Sequence, residues 1–190
     1  MSKINLSDLT LREKIGQTYL LKGNFWENVE NKEEFLKKNP VCGVWSFGRP
    51  SKNTREIADF NGISSGETAG CAYSRAIPEQ MSKYLKVPPV IGADTVSGFS
   101  DLSALPAPIT VGATGCLELA YRYGECIAEE FKCAGVRWRW SPCTDIRAQG
   151  GMRTFSDDPK FLTDMSAEYV KACQSHGVAA CVKHFPGAGI

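Results

Sequence analysis

The chain has 190 residues and a mass of 20.8 kDa, with 43% apolar and 23% charged side chains. It can bury a real core, which excludes wholesale disorder. The formal net charge is +1, so nothing electrostatic points to nucleic acid or an acidic membrane as partner. No run of 18 apolar residues occurs, and Met1 to Asp8 lacks the apolar centre of a signal peptide. A soluble, cytoplasmic chain is the expectation.

In chain order, Thr10 to Lys22 reads as a helix. Thr10 and Glu13 make a capping box, and Leu11, Ile15 and Tyr19 recur at helical spacing. Val41 to Phe47 is short and apolar, which predicts a buried strand. Thr54 to Phe60 reads as helix, Asn61 to Gly70 as a Gly/Ser-rich loop, and Ile77 to Leu85 as helix again. Pro89 to Asp94 is the second strand, and Leu105-Pro106-Ala107-Pro108 a stiff connector. Gly112 to Gly115 reads as a tight turn before a helix over Gly115 to Ala134. Leu117, Tyr121, Gly124, Ala128 and Phe131 form the predicted inner stripe of that helix, with Glu118, Arg122, Glu125 and Glu129 outside.

Val136 to Ile146 is the third predicted strand, with Val136, Trp138 and Trp140 on one face. Packing in the core is favoured over stacking on a ligand for this tryptophan pair. Asp158-Pro159 caps a helix carrying Leu162, Met165, Tyr169 and Cys173 inward and ending at Gly177. Val178 to Phe185 is the fourth strand. Alternation of strand and helix means parallel strands with helical crossovers. Four such units with no closing helix suggest half of a (β/α)8 barrel, which needs about 250 residues. A small doubly wound domain is the alternative at this point.

Cysteines stand at 42, 71, 116, 126, 133, 143, 173 and 181, without a CxxC. In a chain with no signal peptide this predicts free thiols packed as small hydrophobes. Cys173-x-x-His176 and Cys181-x-x-His184 spell a zinc-like spacing, but Cys181 and His184 sit three apart on a strand and face opposite ways. No metal site is expected. A Cys/His nucleophilic pair would need Cys143 or Cys181 beside His184 with a third, orienting group. The sequence supplies no sign of one.

Ligands of parallel α/β folds sit at the carboxyl ends of the strands. There this chain places Asp94, Asp145, Arg153 in the following loop, and Lys183-His184. Two carboxylates, two cations and an imidazole can accept from and donate to vicinal hydroxyls, which suits a polyhydroxylated ligand.

These segments are also similar to a known family. Lys183-His184-Phe185-Pro186-Gly187 resembles the Lys-His-Phe-Pro-Gly signature of family 3 glycoside hydrolases. Arg153-Thr154-Phe155-Ser156-Asp157-Asp158-Pro159 resembles its Arg-Ser-Phe-Gly-x-Asp-Pro segment. Pro142-Cys143-Thr144-Asp145 resembles its Pro-x-x-Asp strand end, and Leu9 to Gln17 its opening helix. The resemblance covers essentially the whole chain. It implies an α/β fold, the first half of a (β/α)8 TIM-type barrel, with residues 1–190 a partial N-terminal barrel domain whose second half and any C-terminal domain are absent. It implies a retaining β-glycosidase, of the β-glucosidase, β-xylosidase or β-N-acetylhexosaminidase kind, acting on terminal β-linked sugars without a cofactor. Asp94, Arg153, Lys183 and His184 match positions that hold the sugar in the −1 subsite, and Asp145 a rim carboxylate beside them.

Retention needs a carboxylate nucleophile and an acid/base group. By resemblance both belong to segments beyond Lys-His-Phe-Pro-Gly, so no catalytic residue is assigned here and the 190-residue piece is expected to be inactive. The second-strand segment Asp94-Thr95-Val96-Ser97-Gly98 matches neither the Asp-x-Glu-Gly of many hexosaminidases nor the Asp-x-x-His-Gly of many glucosidases, which leaves the sugar open. The alternative reading is a non-catalytic sugar-binding module, or a half-barrel that assembles with another chain or with itself through open sheet edges.

Overall fold

The computed structural model describes residues 4–46, 69–94, 105–146 and 151–187. Five strands stand in the sheet in chain order, β1 to β5, and the register-paired neighbours run parallel. The chain divides into two compact units, Met1–Gly92 and Ala93–Ile190. The predicted helix at 54–60 and most of the loop at 61–70 lie outside the described residues.

The first unit opens with α1 (Leu11–Gly16), started by the expected capping box: Glu13 N donates to Thr10 Oγ1 at 3.2 Å, and Thr10 N donates to a Glu13 carboxylate oxygen at 2.7 Å. The helix stops there, against the expectation that it runs to Lys22. Leu20–Lys22 is instead β1, paired in parallel with β2 (Gly43–Ser46) through Leu20–Gly43, Leu21–Val44 and Lys22–Trp45. Cross-strand pairing outweighs the local helical spacing, and the residues of that spacing (Leu11, Ile15 and Tyr19) are exposed. The chain can turn tightly because Gly16 lies against Pro40, where a Cβ would come within 2.0 Å of the carbonyl oxygen.

Two further helices, α2 (Gly23–Glu27) and α3 (Lys32–Lys38), follow β1; Asn31 caps the second, accepting from Glu34 N at 3.0 Å. α4 runs Ala69–Ser82, beginning earlier than the sequence suggests and carrying Pro78 within it. β3 (Val90–Ala93) joins β2 through Val90 N to Cys42 O at 2.9 Å.

In the second unit, α5 (Pro108–Gly112) ends in the expected tight turn, with Gly115 at φ +69. α6 (Leu117–Cys133) buries Ala120, Tyr123, Gly124, Ile127, Ala128 and Phe131. The inner stripe is therefore rotated from the predicted one: Leu117 is exposed and Tyr121 half-buried. α7 (Pro159–Ser175) buries Leu162, Met165, Tyr169 and Cys173 as the sequence suggests, and Gly177 at φ +76 closes it. Gly124 lets α6 and α7 approach closely, since a Cβ there would meet Ala172 and the Tyr169 backbone at 2.8 Å.

The two long strands expected at 136–146 and 178–185 are short. β4 is Trp138–Arg139, paired in parallel with β5, Ala179–Ala180. Trp138 and Trp140 share a face and pack edge-on, ring centroids 5.9 Å apart. The opposite face carries Arg139, fully buried, its guanidinium 4.6 Å above the Phe131 ring and 5.7 Å from that of Tyr169. Delocalised charge on a planar group suits it to such an aromatic slot. Val182 and Phe185, taken from the sequence as part of a buried strand, are 52% and 96% exposed.

Candidate functional site

Beyond β4 the chain does not continue as a regular strand. Cys143 makes isolated parallel bridges with Thr154 on one side and Lys183 on the other. Lys183 N donates to Pro142 O at 3.0 Å, and Thr144 N donates to Lys183 O at 2.6 Å. Cys143 is thus a crossbeam tying the segment that carries Arg153 to the segment that carries Lys183 and His184. Three of the bonds in this region, Ser141–Pro142, Lys183–His184 and Phe185–Pro186, are cis.

Four of the five predicted site residues form two pairs. Lys183 Nζ donates to Asp94 Oδ1 in a close ion pair, the lysine largely buried and the carboxylate one-third exposed. His184 Nδ1 and Asp145 Oδ2 lie 2.5 Å apart, and His184 N donates to the other Asp145 oxygen at 3.4 Å. Asp145 is 2% exposed and the His184 side chain 51% exposed. The buried carboxylate fixes the ring from behind through Nδ1 and leaves Nε2 to face a ligand. Gly187, at φ +105, folds the chain back so that a Cβ there would come within 3.8 Å of Asp145 Oδ1.

Arg153 ends a short 3-10 turn, Gly151–Arg153, and is exposed. Its positive charge reaches Cys143 and draws the thiol pKa down, a smaller effect than burial, which pushes it up. All five residues thus belong to one neighbourhood of the second unit.

Sequence reasoning missed how much Asp145 and Cys143 contribute. Asp145 is the most buried of the charged set and anchors the imidazole. Cys143 donates its S–H to Asp145 Oδ2 at 3.4 Å, so a cysteine, a carboxylate and a histidine do meet, against the expectation that no such constellation forms. The signal was Cys143-x-Asp145, two residues that alternate onto the same side of an extended chain. Burial, the largest influence on the thiol, holds Cys143 protonated, which argues against a nucleophile. The zinc-like quartet does not assemble: Cys173 turns its sulfur to Gly124 O at 3.8 Å, while His176 faces Glu125 at 3.8 Å.

The glycosyl hydrolase family 3 N terminal domain model matches residues 10–190. The chain belongs to glycosyl hydrolase family 3. It is similar to the beta-hexosaminidase of Stenotrophomonas maltophilia (strain K279a), 37% identical over 178 residues that make up 86% of this chain and 48% of that protein. It is also similar to a beta-N-acetylglucosaminidase/beta-glucosidase of Cellulomonas fimi, 33% identical over 113 residues, 55% of this chain and 20% of that one. In fold it resembles a family 3 beta-N-acetylglucosaminidase from Paenibacillus sp. str. FPU-7, with a TM-score of 0.74 at 24% identity over 94% of this chain and 34% of that structure. This family 3 chain therefore spans less than half the length of the curated relatives it matches. The α/β architecture with parallel strands is that of part of a (β/α) barrel.

Proposed function

We propose that this family 3 chain provides the sugar-gripping side of a retaining β-glycosidase acting on terminal β-linked sugars. The observation that carries the reading is the double pair at the strand ends. Asp94 with Lys183, and Asp145 with His184, present a carboxylate, an ammonium and a held imidazole together. Each pair already satisfies its partner on one side, so both are held before ligand arrives and little ordering is left to be done on binding. A pyranose laid across them would accept from Lys183 and donate to Asp94 and to His184 Nε2, with Arg153 closing the rim.

Neither a nucleophile nor an acid/base residue is assigned within residues 1–190. The covalent step would need a carboxylate on the far side of the anomeric carbon, in the segments that correspond to the rest of the relatives' length. The chain by itself is then a binding half. Val182 and Phe185, exposed beside the site, support assembly of that half with further barrel strands. Among the described residues no helix is long and apolar enough to cross a membrane.

The test is calorimetric titration of the chain with glucose, xylose and N-acetylglucosamine, in parallel with turnover of the matching nitrophenyl β-glycosides. One sugar should bind without turnover, and Lys183→Met should weaken it by roughly 10- to 100-fold, the worth of a charge-assisted hydrogen bond. Turnover by the 190-residue chain alone would overturn the division of labour. Binding unchanged in Lys183→Met would overturn the grip.

A further inference from the structure

Cys143, Asp145 and His184 each offer one donor atom, and these three atoms all lie within 4.8 Å of one another. The sugar reading uses the Nε2 side of His184 and has no use for the sulfur. We propose that this trio is a binding site for a thiophilic divalent cation, of the zinc or cadmium kind, held by the Cys143 sulfur, an Asp145 oxygen and His184 Nδ1.

The donor chemistry selects the ion. A thiolate, a carboxylate and a neutral imidazole together carry two negative charges, which a dication neutralises in a place where Cys143 and Asp145 are buried. Sulfur and imidazole favour zinc-like ions over magnesium and calcium, which take oxygen. Tetrahedral zinc puts its sulfur, nitrogen and oxygen donors about 3.2–3.7 Å apart. In the structure the sulfur stands 3.4 Å from Asp145 Oδ2, and His184 Nδ1 2.5 Å from the same oxygen. The imidazole therefore has to back away by about 1 Å, which its half-exposed ring allows.

The backbone is already set for this. Cys143 is bridged to Lys183, the neighbour of His184, so two of the three ligands sit on segments already tied together through the backbone. The half-exposed ring of His184 can swing outward to admit the ion. On binding, the Cys143 S–H bond breaks and its proton leaves to solvent, the His184 ring binds through the Nδ1 lone pair as the neutral tautomer with its N–H on Nε2, and sulfur, nitrogen and oxygen each form a bond to the metal without any change in oxidation state. Among the described residues, Asp145, His184 and Arg153 are the charged or titratable groups that face the sulfur. Loss of the thiol proton makes affinity rise with pH.

Cobalt(II) is the probe, added to the whole chain with no sugar present, so that the outcome is independent of the sugar reading. The expected result is one bound equivalent with a thiolate-to-cobalt charge-transfer band, displaced by zinc. Cys143→Ser should abolish the band, and His184→Gln, a change at an exposed ring that leaves packing alone, should weaken binding at least tenfold. Absence of the band overturns the proposal. So does a band that survives Cys143→Ser and disappears in Cys126→Ser or Cys133→Ser, at the exposed cysteines.

Discussion

Gly112 is where the fold and the site meet most directly. It ends α5, and a Cβ placed on it would stand 1.7 Å from the carbonyl oxygen of Phe155 and 2.6 Å from its carbonyl carbon. Both are backbone atoms, so no side chain can swing aside. To reach ordinary contact at 3.4 Å, the Phe155 backbone has to retreat by about 1.7 Å if α5 stays in place. Phe155 is 2% exposed and packs with Tyr123 and Tyr169, centroids 6.2 and 5.9 Å away.

A gap of 0.5–1 Å already forfeits roughly a quarter to a half of each dispersion contact. Half of a buried Phe and of two aromatic pairs comes to about 1.5–3 kcal/mol. Residual overpacking adds about 1 kcal/mol or more, and the better helix propensity of Ala returns about 1 kcal/mol. Gly112→Ala should therefore cost about 1.5–3 kcal/mol, lowering Tm by roughly 3–12 °C for a chain of this size. Gly115→Ala is the control. It has φ +69 and nothing within 4 Å, so it pays only the left-handed backbone cost of about 1–2 kcal/mol.

Thermal melts of the two variants and the parent are the assay. Phe155 follows Thr154, whose bridge partner is Cys143, so the same displacement should loosen the site and speed alkylation of Cys143 in the folded protein. Should Gly112→Ala melt at or above Gly115→Ala, with Cys143 still protected, the argument from backbone contact fails.

Two other predictions concern stability. Burial pushes the thiols of Cys143 and Cys173 above their ordinary range. Below the unfolded thiol pKa, about 8.5, both states hold these protons and stability does not change on their account. Above it the unfolded chain loses them while the native chain keeps them, so stability falls as pH rises; urea melts of Cys173→Ala between pH 8 and 10 should show a shallower fall than the parent, and equal slopes would refute the assignment. Asp158 Oδ1 accepts from Phe161 N at 2.6 Å and caps α7, so Asp158→Ala should cost about 1 kcal/mol, seen as a Tm lower by roughly 2–4 °C; an unchanged melt would mean the cap contributes nothing.

The features legible in the sequence are those that rest on local bonds and spacings. The Thr10–Glu13 box and the Asp158 cap rest on bonds between residues three apart. The inner face of α7 rests on a spacing that repeats within one helix. The register of α6 was missed because Leu117 and Ile127 are equally apolar, and only the close approach of α7 at Gly124 decides which side is covered. β1 was missed for a related reason: Leu20–Lys22 has no strand signal of its own and becomes a strand through Gly43–Trp45. Arg139 is buried only because the rings of Phe131 and Tyr169, from two different helices, close over it.

The site divides in the same way. Its residue types, Asp94, Asp145, Arg153, Lys183 and His184, were determined by the sequence. Which carboxylate meets which cation was decided only by the tertiary structure, as was the arrival of Cys143 beside Asp145 and His184. Residues 39 and 89 positions apart, the separations within the two pairs, are joined by strand register. Register is a property of pairing between segments, and no segment carries it alone.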